Sequence, residues 1–96
     1  MHTYIYMNKY LAEFIGTGLL AYVILATNNP IIVALVYAVM LIVVLQISSG
    51  YLNPAIALIM ASINKIEINE LLPYMMAQFF GALVALEIYK RFAVKA

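Results

Sequence analysis

Three stretches of this chain, Tyr10 to Ala26, Ile31 to Ile47 and Leu71 to Tyr89, are nearly continuous runs of apolar side chains. A fourth, Pro54 to Ile63, is about half as long. Runs of 17 to 19 apolar residues approach the roughly 20 needed to cross a bilayer as a helix. The alternative is a soluble core. A chain of 96 residues that is 68% hydrophobic and 9% charged cannot hide that much apolar surface inside so small a volume. The bilayer is therefore the expected solvent, and the expected fold is an all-α membrane protein forming a single domain over residues 1–96.

The breaks between the runs set the organisation. "TNNP", Thr27 to Pro30, interrupts the first run, and Pro30 suits the first turn of the next helix, where its missing N–H is not needed. Tyr4, Tyr6 and Tyr10 suit a headgroup-level aromatic belt, with Lys9 snorkelling beside them. The N-terminal run is expected to persist as a spanning helix rather than act as a cleaved signal. "NKIEINE", Asn64 to Glu70, is the most polar stretch and must meet water. The fourth run cannot cross: ten helical residues rise about 15 Å, half of a hydrocarbon core of about 30 Å. The expected architecture is three transmembrane helices plus one re-entrant half-helix.

Several classes of function are set aside by composition. A net charge of +1 offers no basic surface for nucleic acid. The absence of cysteine and a single histidine, His2 beside the first residue, leave no metal-ligand set and no nucleophile–base pair. No cofactor, metal site or catalytic constellation is expected.

What needs explaining is "SSGYLNPAIAL", Ser48 to Leu58, set among apolar residues. Irregular backbone at membrane depth is tolerated only inside protein or beside a watery cavity. Asn53 is a good N-cap and Pro54 a good first helical residue, so the short helix would start inside the bilayer. Its free N–H groups and positive dipole end would point into that cavity, with carbonyls of the incoming loop (Ser49, Gly50, Tyr51, Leu52) along the same wall. Acceptors leading to a donor cluster suit water or a small hydroxylated solute. From helix physics alone, an interfacial helix that Asn53 merely caps is equally good. Small residues spaced by four, Ala12 and Gly16 in the first run and Ala77, Gly81 and Ala85 in the third, suit close helix packing. Glu13 reads either as a partnered buried carboxyl or as an i, i+4 partner of Lys9.

"AEFIGTGLLAYV" (Ala12 to Val23), "SSGYLNPAIAL" and "LPYMMAQFFGALVA" (Leu72 to Ala85), in that order, resemble the first-helix, loop and third-helix motifs of the aquaporin or major intrinsic protein family. The resemblance covers nearly the whole chain and corresponds to one half of a family member, which carries two such units in inverted orientation. It implies that Asn53 donates to permeating water at the midplane and that Pro54 and Ala55 form the tip where two half-helices abut. It also implies that Glu13, with Gln78, braces the re-entrant loop. Tyr37 in "VALVYAV" (Val33 to Val39) matches the aromatic filter position if about one helical turn is deleted before the box; distance from the box points to Val33 instead. Where the family's second box is followed by an arginine, Ile56 stands here, and Arg91, at the far end of the third helix, does not match it. Cation exclusion is thus not carried over.

In the family orientation, Lys9 and Lys65 face one side, and Lys90, Arg91 and Lys95 the other. So even a balance gives little preferred orientation. The expected assembly is an integral multi-pass protein whose pore is completed by a second, inverted copy, with the family pattern implying four such pairs. The expected function is a passive channel for water or a small neutral solute such as glycerol. The alternatives are a dual-topology transporter with Glu13 as proton or cation site, and a non-conducting half-channel needing a separate partner.

Overall fold

The computed structural model describes residues 2–92, with side chains from Lys9 onward. The side chains of Tyr4 and Tyr6, part of the expected belt, lie outside what is described, and Lys95 lies outside the described residues. Four helices follow in order: α1 (His2–Ala26), α2 (Pro30–Val44), α3 (Pro54–Ser62) and α4 (Ile68–Phe92).

The sequence signals for helix starts are used as such. Asn29 caps α2, its Oδ1 accepting from the amides of Ile31 (2.9 Å) and Ile32 (3.4 Å), with Pro30 in the first turn. Asn53 caps α3 in the same way, accepting from Ala55 N at 2.8 Å, and Pro54 follows. Asn64, in the left-handed region at φ 64°, turns the chain after α3.

Three boundaries differ from the hydropathy reading. α1 and α4 each run for 25 residues, longer than their apolar runs, because the polar flanks continue the helix. α4 begins at Ile68, inside the polar stretch, and carries Pro73 near its start. α2 stops at Val44, three residues early. Its last turn tightens as Gln46 N bonds Val43 O (3.3 Å) and Ile47 N bonds Val44 O (2.9 Å). Two helical stretches, Lys9–Ala26 and Ile68–Phe92, are long and apolar enough to cross a membrane. α2, at 15 residues, rises about 22 Å.

α1 and α4 run parallel. Lys9 pairs with Glu70 at one end, Gly18 meets Gly81 near the middle, and Tyr22 meets Tyr89 edge-on at the other (ring centroids 6.2 Å). Glycine is required at this crossing: a Cβ on Gly81 would stand 2.3 Å from the Phe14 carbonyl oxygen, and one on Gly18 3.2 Å from that of Gly81. Ala12 and Gly16 face another way, lining the cleft between α1 and α2 with Met40, Val43 and Val44. A Cβ on Gly16 would meet Leu52 at 2.7 Å and Val44 at 2.9 Å.

α3 packs against α4, and its buried face, Ala57 and Ala61, joins Tyr51, Ile66 and Tyr74 in a small core. Outward surfaces stay apolar: Leu35 is 60% exposed, Ile42 64% and Leu83 54%. Side chains like these cost little facing lipid and much facing water.

The crossing yields a prediction. Gly81→Ala should destabilise the fold by about 1–3 kcal/mol, since the obstructing atom is backbone and the helices must separate. Gly50, tight only against the flexible Leu45 side chain but at φ +66°, should respond to alanine through backbone strain instead. Denaturant titration in detergent micelles measures both, and a neutral Gly81→Ala would contradict this packing.

Candidate functional site

The segment between α2 and α3 has no helix of its own to satisfy its amides. It turns through two left-handed residues, Gly50 (φ 66°) and Leu52 (φ 54°). Glycine adopts that conformation freely; leucine does so at a cost, and only because its surroundings hold it.

The holding group is Glu13. Its carboxylate is fully buried and accepts four hydrogen bonds. Oε1 accepts from Leu52 N (2.8 Å) and from Gln78 Nε2 (3.0 Å); Oε2 accepts from Ser48 Oγ (2.5 Å) and Tyr51 N (3.2 Å). Ser48 Oγ in turn accepts from Gly50 N at 3.1 Å. A buried carboxylate is costly unless fully hydrogen-bonded, and bonds to an ionised acceptor are about twice as strong as neutral ones. Glu13 on α1, Gln78 on α4 and three loop residues thus form one unit. Lys9 pairs with Glu70 on α4 rather than with Glu13 one turn away.

Peptide planarity then fixes the carbonyls. The amides of Tyr51 and Leu52 converge on Glu13, and no cis peptide occurs among the described residues. The carbonyls of Gly50 and Tyr51, each trans to one of those amides, therefore point away from the carboxylate.

Asn53 stands at the tip, exposed, with extended backbone (φ −158°). Its Oδ1 is committed to Ala55 N. Its amide nitrogen thus remains a donor, and Asn53 lines a groove of about 240 Å³ with Thr17, Leu20, Ala21, Ile24, Tyr37 and Leu52. Tyr37 lines this groove; Val33, one turn earlier, is half-buried and does not. Ala55 is exposed beside Asn53, and Pro54 is half-buried.

Behind the loop, Tyr74 is 1% exposed. It stacks edge-on against Tyr10 (5.2 Å) and tilted against Tyr51 (5.4 Å), and its hydroxyl lies 3.4 Å from Ser49 Oγ. Lys9 Nζ sits over the rings of Tyr10 and Tyr74 at 5.3 and 5.7 Å. The sequence reading did not single out Ser48, Tyr74, Thr17 or Gly18. All four fall inside the quoted motifs, so membership of those motifs was the available signal. Tyr74 looked like any aromatic of a spanning helix.

Long apolar helices, packed without side chains at their crossing and carrying a buried carboxylate that fixes an irregular loop, define an all-helical membrane protein. The family model for the major intrinsic protein matches residues 1–96. The chain belongs to that family. It is 33% identical over 95 residues to glycerol uptake facilitator protein-like 6 of Lactiplantibacillus plantarum (strain ATCC BAA-793 / NCIMB 8826 / WCFS1), an alignment covering 90% of this chain and 44% of that protein. The chain thus spans less than half the length of this curated relative. No solved structure matches it.

Glu13→Gln tests the four-bond unit. Both carboxylate oxygens accept, so an amide must turn its NH2 toward donors on one side. Each buried donor left unpaired costs about 1–3 kcal/mol. Loss of stability in that range is expected, together with faster amide hydrogen exchange at Tyr51 and Leu52. Unchanged protection there would remove Glu13 as the holding group.

Proposed function

We propose that this chain is one half of a passive channel for water or a small neutral solute of the glycerol type. In this reading α1, α2 and α4 span the membrane, α3 is a re-entrant half-helix, and residues 1–96 form one multi-pass domain. A second copy in inverted orientation completes the pore, and four such pairs assemble together.

The observation that carries the proposal is the tip of α3. Asn53 is locked by its own cap, so its remaining amide donor is aimed rather than free to rotate. The groove before it has one polar edge and otherwise apolar walls, among them Tyr37 and Ile24. Such a surface strips part of a solute's hydration and returns a hydrogen bond at one point. Gly50 and Tyr51 carbonyls, turned away from Glu13, supply acceptors on the approach. Pro54 and Ala55 then form the surface where the second half-helix abuts, and Tyr37 serves as the filter aromatic in place of Val33. The relative's name, a glycerol uptake facilitator-like protein, supports the solute class.

Glu13 is fully engaged as a fourfold acceptor and fully buried. That geometry favours a structural carboxylate over the proton or cation site of a coupled transporter. Conduction should therefore be passive and unsaturated, with no response to a pH gradient.

Asn53→Ala is the direct test. It removes the cap, worth about 1 kcal/mol, and the amide donor together. The variant should insert and fold yet lose most stopped-flow water or glycerol flux in liposomes containing the purified chain alone. Wild-type flux would exclude Asn53 from the path.

Orientation gives a second test. Lys90 and Arg91 sit at the end of α4 opposite the Lys9–Glu70 pair. Converting both to Gln should bias insertion toward an N-terminus in the cytoplasm. The variant should then conduct poorly alone and recover when co-expressed with one lacking Lys9 and Lys65. Full conduction by a chain labelled from one face only, through a cysteine placed near residue 28, would sink the inverted pair.

A further inference from the structure

One polar group beside the Asn53 groove has no partner within the chain. Thr17 on α1 is 7% exposed and lines the groove with Leu52 and Asn53. Its Oγ1 is buried and has no hydrogen-bond partner among the described residues. What Thr17 shows the groove is therefore not its oxygen. The other oxygen of this kind, Gln78 Oε1, belongs to the Glu13 unit and does not line the groove.

A buried hydroxyl without a bond is costly, and a helix offers a ready remedy in the carbonyl one turn back. Ser62 takes it, donating to Leu58 O at 2.8 Å. Thr17 makes no such bond to Glu13 O. Threonine in a helix has two accessible χ1 wells. A turn of about 120° carries the hydroxyl from one staggered position to the next with little change in side-chain volume. Such a turn puts oxygen where carbon now meets the groove.

The groove lacks what that oxygen would supply. Asn53 offers it a donor only, because its Oδ1 is committed to Ala55 N. Apart from Thr17, Asn53 and Tyr37, the walls are aliphatic. Tyr37 is placed by α2; Thr17 is the polar residue of the α1 wall, beside Leu20 and Ile24. A polyol that accepts from Asn53 still has O–H groups of its own to satisfy. A threonine hydroxyl both accepts and donates, so it can take one of them.

We propose that Thr17 is a specificity-determining residue of the groove: its hydroxyl turns about χ1 to bond a hydroxyl of a glycerol-type solute that Asn53 also holds. This rests on the channel reading. It favours a polyol over water. A water molecule that loses this partner bonds its neighbour in the file instead; a polyol hydroxyl pressed to an aliphatic wall has no such substitute.

Thr17→Val keeps the shape and removes the hydroxyl, and Thr17→Ser keeps the hydroxyl. Both are compared with the wild-type full chain, for melting in detergent micelles and for stopped-flow glycerol and water flux in liposomes. Thr17→Val should melt no lower than wild type, since it deletes an unpaired group. Its glycerol flux should fall roughly two- to tenfold further than its water flux, the loss expected of one hydrogen bond made in transit. Thr17→Ser should restore the ratio. The γ-methyl NMR signal of wild-type Thr17 in micelles gives a readout that needs no flux: titrated glycerol should change its χ1-dependent couplings. An unchanged flux ratio in Thr17→Val, a lower melting temperature there (which would place the hydroxyl in a bond within the protein), or couplings indifferent to glycerol would each overturn the assignment. A wild-type chain that conducts neither solute would instead defeat the channel reading, and the couplings alone would then decide whether Thr17 meets glycerol.

Discussion

A carboxylate buried in a membrane-type helix is the constraint to which the rest of this structure answers. Glu13 has no exposed surface, and among the described residues four hydrogen-bond donors surround it. Removing an ionised group from water costs several kcal/mol, and only a nearly complete set of hydrogen bonds offsets that. The chain supplies the set from its most irregular segment. Loop amides that no helix or sheet can satisfy become partners for a charge that nothing else can satisfy. Neither would be stable alone at this depth, which is why the loop can hold Leu52 in a left-handed conformation.

The packing of the long helices follows from that need. Gln78 reaches Glu13 only if α4 lies close against α1, and the glycine crossing brings it there. On its next face, α1 uses Gly16 to seat Leu52, the residue whose amide Glu13 holds. Tyr74, one turn before Gln78, presses on Tyr51 and approaches Ser49. The loop is thus gripped by a carboxylate, a glycine notch and an aromatic ring. α1 divides its circumference among tasks: Glu13 and Gly16 to the loop, Phe14 and Gly18 to α4, Leu11 and Ile15 outward.

The local parts of this arrangement were legible in the sequence. Asn29-Pro30 and Asn53-Pro54 mark helix starts because capping and proline's fixed φ are properties of adjacent residues. The shortness of α3 was legible too, since length alone decides whether a helix can cross. The pairings across long separations were not. Small residues at intervals of four tell where a backbone can approach but not which neighbour arrives, so Gly16 and Gly81 read alike although one meets a loop and α2 and the other meets α1. Gly18 lies outside that interval and so escaped notice. Lys9 faced two carboxylates in principle, one four residues away and one 61 away; only the parallel arrangement of α1 and α4 selects Glu70. The early end of α2 depends on where the loop must turn toward Glu13, which hydropathy does not encode.

The open side of the molecule extends the same reasoning to the assembly. Asn53 and Ala55 are exposed at the tip of α3, with an amide donor that has no acceptor among the described residues. At membrane depth, lipid facing that tip would leave each such group unsatisfied, at several kcal/mol apiece. Water alone would satisfy it but would have to be walled off from the hydrocarbon. Both requirements are met if another polypeptide surface closes the groove while leaving a narrow aqueous path. A surface with its own polar tip would also provide donors where this unit provides few. In the proposed arrangement, with α3 as a re-entrant half-helix, an inverted copy would have that character and would set tip against tip. The proposal of a paired pore therefore rests less on the shape of the groove than on the same rule that gives Glu13 its four partners: in a bilayer, every buried polar group must find one.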